Sequence, residues 1–254
     1  MKVVILAGGF GTRLSEFTDV IPKPMVTIGG MPIIWHIMNH YASHGHTDFV
    51  VALGYKSQTI RDYFLNYRSL NSDVTVELKS GKVSMLGGDV PDWKVTMIDT
   101  GYETQTGGRL LRLRETLGSE DFFMTYGDGV SNVDLDALLE VHRASSAEVT
   151  VTAVRPTARF GEIEIDGDRV VRFAEKPRGS QGWINGGFFV MKPSFLERIT
   201  GDASVLEKEP LENAAKAQKL AAFRHSGFWQ CMDTKRDRDF LENLWASGNP
   251  PWAN

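Results

Sequence analysis

Apolar residues fall along the chain in two rhythms. Short unbroken runs at 3–7 (Val3, Val4, Ile5, Leu6, Ala7), 49–53 and 122–126 read as strands buried on both faces. Between them the apolar positions open out to helical spacing. Ile33, Ile34, Ile37, Met38 and Tyr41 follow Pro32, a residue suited to opening a helix, and Ile60, Tyr63, Phe64 and Tyr67 follow Ser57, a residue able to cap one. Strand runs alternating with such stretches predict βαβ units: an α/β fold with a mostly parallel sheet flanked by helices.

The second half changes character. Shorter strands are expected at 149–154, 161–165, 170–173 and 187–191, separated by turn residues such as Asp166-Gly167-Asp168. A last helix is expected from Thr234 as N-cap, with Phe240, Leu241, Leu244 and Trp245 on one face. The tail Asn249-Pro250-Pro251-Trp252 reads as a surface extension. With no internal repeat, low-complexity stretch or linker, the chain is read as a single domain, 1–254, with a soft division into halves 1–150 and 151–254.

Composition narrows the function. The 254 residues carry 28 Lys and Arg against 32 Asp and Glu, a net charge of −4, which gives no electrostatic footprint for nucleic acid or an anionic membrane. No apolar run reaches the roughly 18–20 residues of a membrane span, and the run at 3–7 is too short for a signal-peptide core. The single cysteine, Cys231, excludes an internal disulfide framework. A cytoplasmic protein acting on small molecules is expected.

The first run ends in Leu6-Ala7-Gly8-Gly9-Phe10-Gly11-Thr12-Arg13-Leu14. Three glycines let the backbone turn tightly and bring N–H groups to phosphate oxygens, and Arg13 adds a planar fork suited to phosphate. The loop lies beyond the carboxyl end of a strand, where open α/β sheets place ligands. Leu14 breaks the dinucleotide fingerprint, and Thr12-Arg13 after Gly11 is not the Gly-Lys-Ser/Thr of a P-loop. In Ile21-Pro22-Lys23-Pro24-Met25 two prolines stiffen the chain around Lys23, so an ammonium is held where it can offset charge during phosphoryl transfer.

Those two motifs together resemble the sugar-phosphate nucleotidyltransferases, which open on Leu-Ala-Gly-Gly-x-Gly-Thr-Arg-Leu followed by Lys-Pro-Met. Asp99-Thr100-Gly101, Thr106-Gly107-Gly108-Arg109, Tyr126-Gly127-Asp128-Gly129, Ile184-Asn185-Gly186-Gly187 and Met232-Asp233-Thr234 narrow the resemblance to the glucose-1-phosphate cytidylyltransferases, over essentially the whole chain. The fold so implied is Rossmann-like, with a nucleotide-binding half and a smaller strand-rich sugar-binding part. The implied reaction joins CTP to α-D-glucose 1-phosphate, giving CDP-glucose and pyrophosphate, in a homo-oligomer.

The resemblance also implies roles. The nucleotide would be held by Leu6, Ala7, Gly8, Gly9, Phe10, Gly11, Thr12, Arg13, Lys23, Thr104, Arg109 and Gly127, with Arg13, Lys23 and Asp128 as the catalytic set. Asp128 and Asp233 would bind Mg²⁺, although by themselves they are equally a turn former and a residue at a helix start. Lys176 would pair with the sugar phosphate and Glu175 with sugar hydroxyls. Asn185 and Gly186 suit a closely approached polyhydroxyl ligand, or a plain turn. Arg109 is open to base, phosphate or substrate.

The pattern departs at Ile21, Glu162, Trp183 and Cys231, which bears on the acceptor more than on the reaction. Another NTP, another sugar 1-phosphate such as a heptose, or a non-catalytic sugar-nucleotide-binding module are the alternatives. His36, His40 and His44 recur every four residues but lack the Glu of a metalloprotease helix, and are read as a packed or partner-facing row. Trp245 and Trp252 are read as exposed aromatics favouring self-association.

Overall fold

A computed structural model describes residues 1–11, 14, 18–88, 90–156, 162–174 and 182–253. Its central sheet has seven strands: β1 (Lys2–Leu6), β2 (Asp48–Leu53), β3 (Lys94–Asp99), β4 (Phe122–Tyr126), β5 (Val149–Val154), β6 (Ile184–Met191) and β7 (Leu220–His225). They lie in the order β7-β5-β6-β4-β1-β2-β3. All pairings are parallel except those of β6, which runs antiparallel to β4 and to β5. The sheet draws strands from both sides of residue 150.

The unbroken apolar run of β1 has a direct cause. Val3 and Ile5 enter one hydrophobic core, while Val4 and Leu6 enter a second on the opposite face. The first core is covered by α1 (Ile33–Ser43), α2 (Ser57–Leu70), α4 (Leu135–Ala144) and α6 (Lys235–Ala246); the second by α3 (Thr106–Arg112) and α5 (Glu209–Lys216). The strands expected at 161–165 and 170–173 are a separate hairpin, Glu162–Asp166 with Arg169–Ala174; residue 161 lies outside the described residues.

Several expectations are corrected. Ser57 does not cap α2: Lys56 precedes the helix in the left-handed region, at φ 49°, and Ser57 is already helical. At α6 Thr234 does cap, in a reciprocal capping box with Asp237. Leu241 is fully buried on the inner face of α6, but Phe240 sits at the edge of the stripe and is 44% exposed.

The C-terminal tail is not a surface extension. Trp252 is 2% exposed, stacks on Phe228 at 5.5 Å and donates its indole N–H to His36 Nδ1 at 3.4 Å. Truncating a ring buried like this costs about 3–5 kcal/mol, so the tail is part of the core. Trp245 is also packed, against Gly29, where a Cβ would stand 2.0 Å from its indole nitrogen. Neither tryptophan supports self-association.

The histidine row is internal at two of its three positions. His36 and His40 are buried and donate Nε2–H to the carbonyls of Ile28 and Val133, each at 2.9 Å. Burial lowers the His40 pKa to about 4, so the ring is neutral. His44 gathers with Asp134 and Asp136 on the surface, where Asp134 is engaged as the N-cap of α4. An exposed hairpin, Val74–Glu77 with Lys82–Met85, was not foreseen; it presents Val76, Leu78 and Val83 to solvent. Among the described residues no helix is long and apolar enough to cross a membrane.

Candidate active site

The carboxyl ends of β1, β2, β3 and β4 lie along one edge of the sheet, and the segments that follow β1, β3 and β4 line a cavity of about 420 Å³. Backbone bonds fix this edge: Ala7 N–H to Ala52 O at 3.0 Å, Gly127 N–H to Leu6 O at 3.1 Å and Tyr55 N–H to Gly8 O at 3.2 Å. Of the residues expected around the nucleotide, Leu6, Ala7, Gly8, Gly9, Phe10, Gly11, Lys23, Thr104, Arg109 and Gly127 line this cavity, as do Asp128 and Asp233. Thr12, Arg13, Glu175 and Lys176 lie outside the described residues.

The three loop glycines have different causes. Gly11 holds φ at +65°, a conformation that favours glycine. A Cβ on Gly8 would stand 2.4 Å from the Arg109 guanidinium carbon. A Cβ on Gly9 would meet nothing within 4 Å, so protein packing supplies no reason for that glycine; close approach of a ligand would. Phe10, at the tip, rests against Tyr55 and Tyr102 at 5.3 and 5.1 Å.

Arg109 does not project toward a ligand with its guanidinium free. One terminal nitrogen donates to Leu53 O, Thr100 Oγ1 and Gly101 O at 3.0, 2.9 and 2.6 Å. The other donates to Gly8 O and Tyr102 O at 3.0 and 3.1 Å. These are all the protein's own acceptors, so the side chain ties the glycine loop to the ends of β2 and β3 from beneath.

Lys23 opens a single 3-10 turn, Lys23–Met25, after Pro22, and its side chain is largely buried. Its ammonium donates to Asp128 Oδ2 at 2.7 Å and to Asp233 Oδ1 at 2.6 Å. Burial acts to lower the Lys23 pKa, but the two carboxylates outweigh it and the net shift is upward, so the ammonium is charged.

The two aspartates meet because short strands pair behind them. Gly129–Ser131 runs antiparallel to Trp229–Cys231, and Met232 N–H donates to Asp128 O at 2.8 Å. The convergence of two carboxylates on one cationic point is a donor set suited to a hard divalent ion with oxygen ligands. Cys231, whose Sγ lies 3.5 Å from Asp233 Oδ2, is held as a neutral thiol: burial and the neighbouring carboxylates push its pKa up to about 12.

Asn185 and Gly186, near the start of β6, do not line the cavity; they sit beside it, next to the lining residue Tyr126. Asn185 reaches the Tyr126 hydroxyl with its side-chain N–H at 3.3 Å and accepts Gly187 N–H on its Oδ1 at 2.8 Å. Both following glycines are dictated by packing: a Cβ on Gly186 would stand 2.8 Å from Val154, and one on Gly187 2.8 Å from the Tyr126 ring. Thr106 and Tyr126, which belong to the motifs of the resemblance without an assigned role, also line the cavity, and Glu207, which no motif includes, lies behind them.

The family description "Nucleotidyl transferase" matches residues 2–234. The chain is 49% identical over 253 residues to the glucose-1-phosphate cytidylyltransferase of Salmonella typhi, covering 99% of this chain and 98% of that protein. It is 42% identical over 253 residues to a Bacillus subtilis protein named "Probable glucose-1-phosphate cytidylyltransferase", covering 99% of each. Among solved structures it is similar to HddC from Yersinia pseudotuberculosis, with a TM-score of 0.71 at 23% identity, covering 96% of this chain and 99% of that one. It is also similar to UDP-glucose pyrophosphorylase complexed with UDP-glucose, with a TM-score of 0.68 at 17% identity, covering 97% and 98%. At these identities the structures speak to the fold.

Proposed function

The chain belongs to the nucleotidyl transferase family, and from that premise we propose that it condenses CTP with α-D-glucose 1-phosphate to CDP-glucose and pyrophosphate. The observation that carries the reaction type is the meeting of Lys23, Asp128 and Asp233 at the cavity beneath the glycine loop. Full-length similarity to proteins named for CTP and glucose 1-phosphate supports the substrate pair.

In this reading a phosphate oxygen of the sugar phosphate attacks the α-phosphorus of CTP in line. The new phosphorus–oxygen bond forms as the bond to the β-phosphate oxygen breaks, and pyrophosphate leaves with that electron pair. The attacking oxygen is already anionic, so no side-chain nucleophile is required, and the neutral Cys231 thiol beside the site is not positioned as one. The exposed backbone at Gly9 approaches the triphosphate without a Cβ, and Arg13 adds charge. Lys23 balances negative charge at the α-phosphate. Asp128 and Asp233 would hold Mg²⁺, which would supply Lewis-acid charge at the phosphates. Glu175, Lys176, Asn185 and Gly186 take the sugar phosphate.

The test crosses four NTPs with a set of sugar 1-phosphates, a heptose 1-phosphate included, and reads pyrophosphate release. CTP with glucose 1-phosphate is expected to give a kcat/KM at least roughly tenfold above any other pair, the discrimination that about 1.4 kcal/mol of differential binding supplies. Preference for a different pair would redirect the substrate assignment. Tight CDP-sugar binding with no turnover of any pair would make the protein a binding module.

The proposal extends to a cytoplasmic homo-oligomer. Its structural support is the solvent-facing apolar side of the hairpin Val74–Glu77 and Lys82–Met85, since Trp252 is buried and Trp245 is partly buried against the core. Light scattering on the purified protein is expected to give a mass of several 28.3 kDa chains; a monomer at working concentration would remove this part.

A further inference from the structure

Glu207 lies just before α5, far in sequence from every residue assigned above, yet its carboxylate reaches the cavity wall. One oxygen accepts the Thr106 hydroxyl at 2.8 Å and the other accepts the Tyr126 hydroxyl. Thr106 and Tyr126 both line the cavity.

The direction of each hydrogen bond in this chain is forced. A carboxylate only accepts, so both hydroxyls donate to it. Thr106 Oγ1 in turn accepts Leu206 N–H at 2.9 Å, which pins the Glu207 end. Tyr126, its proton committed to Glu207, offers only its oxygen to Asn185, and so meets an N–H of that amide at 3.3 Å. Asn185 is thereby oriented with Oδ1 toward Gly187 N–H at 2.8 Å and with a second side-chain N–H left to offer a ligand.

We propose that Glu207 is a positioning residue for the sugar phosphate: acting through Tyr126, it sets Asn185 as a hydrogen-bond donor toward a hydroxyl oxygen of the sugar. The inference rests on the reaction proposed above. Gln is nearly isosteric with Glu but carries two N–H donors and one acceptor oxygen. It therefore cannot accept both hydroxyls as Glu207 does, and the polarity of the chain is lost.

The experiment compares wild type with Glu207→Gln, Tyr126→Phe and the double variant, measuring sugar 1-phosphate and CTP affinity by calorimetry alongside steady-state kinetics. Glu207→Gln is expected to weaken glucose 1-phosphate roughly tenfold, as loss of one well-placed hydrogen bond does, with CTP affinity and kcat changed by less than about threefold. Tyr126→Phe is expected to give the same selective loss, and the double variant no more than either single one. Equal weakening of both substrates, additive losses, or an unchanged sugar affinity in Glu207→Gln would each overturn the proposal. Calorimetry keeps the two readings apart. A wild type that binds glucose 1-phosphate but turns over no pair overturns the reaction, while the affinity comparison still decides Glu207. A wild type that binds no sugar 1-phosphate overturns both.

Discussion

Replacing Lys23 with alanine is expected to lower kcat/KM for pyrophosphate release by on the order of 10³-fold, the scale of losing a preorganised charge partner in a transition state. The side chain is 11% exposed and held between two carboxylates, so its charge is fixed at one point of the cavity rather than free to move in solvent. Lys23→Arg is not expected to restore activity, because a planar guanidinium does not reproduce a compact ammonium.

The same substitution has a consequence for stability. Asp128 and Asp233 would lose the cation between them and repel one another, costing less than the ~3–5 kcal/mol of a fully buried pair. The discount follows from exposure: their side chains are 32% and 21% accessible, so water screens part of the repulsion. A divalent cation is expected to raise the melting temperature of Lys23→Ala more than that of wild type, since in wild type the ammonium holds the same carboxylates. Thermal unfolding with Mg²⁺ and with a chelator reads this directly. A folded Lys23→Ala protein with near wild-type pyrophosphate release would remove Lys23 from the chemistry.

Gly8→Ala is expected to be strongly destabilising. The added carbon would stand 2.4 Å from both the guanidinium carbon and a terminal nitrogen of Arg109. That guanidinium cannot yield cheaply, because five hydrogen bonds hold it. Overpacking together with the bonds it breaks is expected to cost about 2–4 kcal/mol, or a fall in Tm of roughly 5–15 °C for a chain of this size. Gly9→Ala is the control: with nothing within 4 Å of the added carbon, Tm is expected to hold while CTP affinity falls. If the two variants behave alike, the distinction between a packing glycine and a ligand-facing glycine does not stand.

These contrasts bear on what was legible beforehand. β1, β2 and β4 announced themselves because strands buried on both faces leave unbroken apolar runs, and α6 because Thr234 and Asp237 form a local cap. β3, with the sequence KVTMID, lies at the sheet edge and is only partly covered, so its pattern carried no comparable signal. In the site, Lys23 and the glycine loop stood out through local motif chemistry, whereas Asp128 was marked only by the family resemblance. Arg109 was visible as a residue but not in its role, since its acceptors come from three separate segments, at Gly8, at Leu53 and over 100–102. Glu207 was invisible because its partners lie 101 and 81 positions away. Trp252 was misread because two prolines suggest an extended tail, whereas its burial depends on Phe228 and His36, which no local pattern links to it.

The span of the Lys23 contacts carries a further consequence for how the protein comes into being. Its two partners lie 105 and 210 positions downstream, so the charge cluster straddles nearly the whole chain. During synthesis the glycine loop and Lys23 emerge first, yet the cluster stays incomplete until Asp233 has left the ribosome and α6 has docked. A chain terminated before Asp233 is therefore expected to release no pyrophosphate, however well its N-terminal half folds.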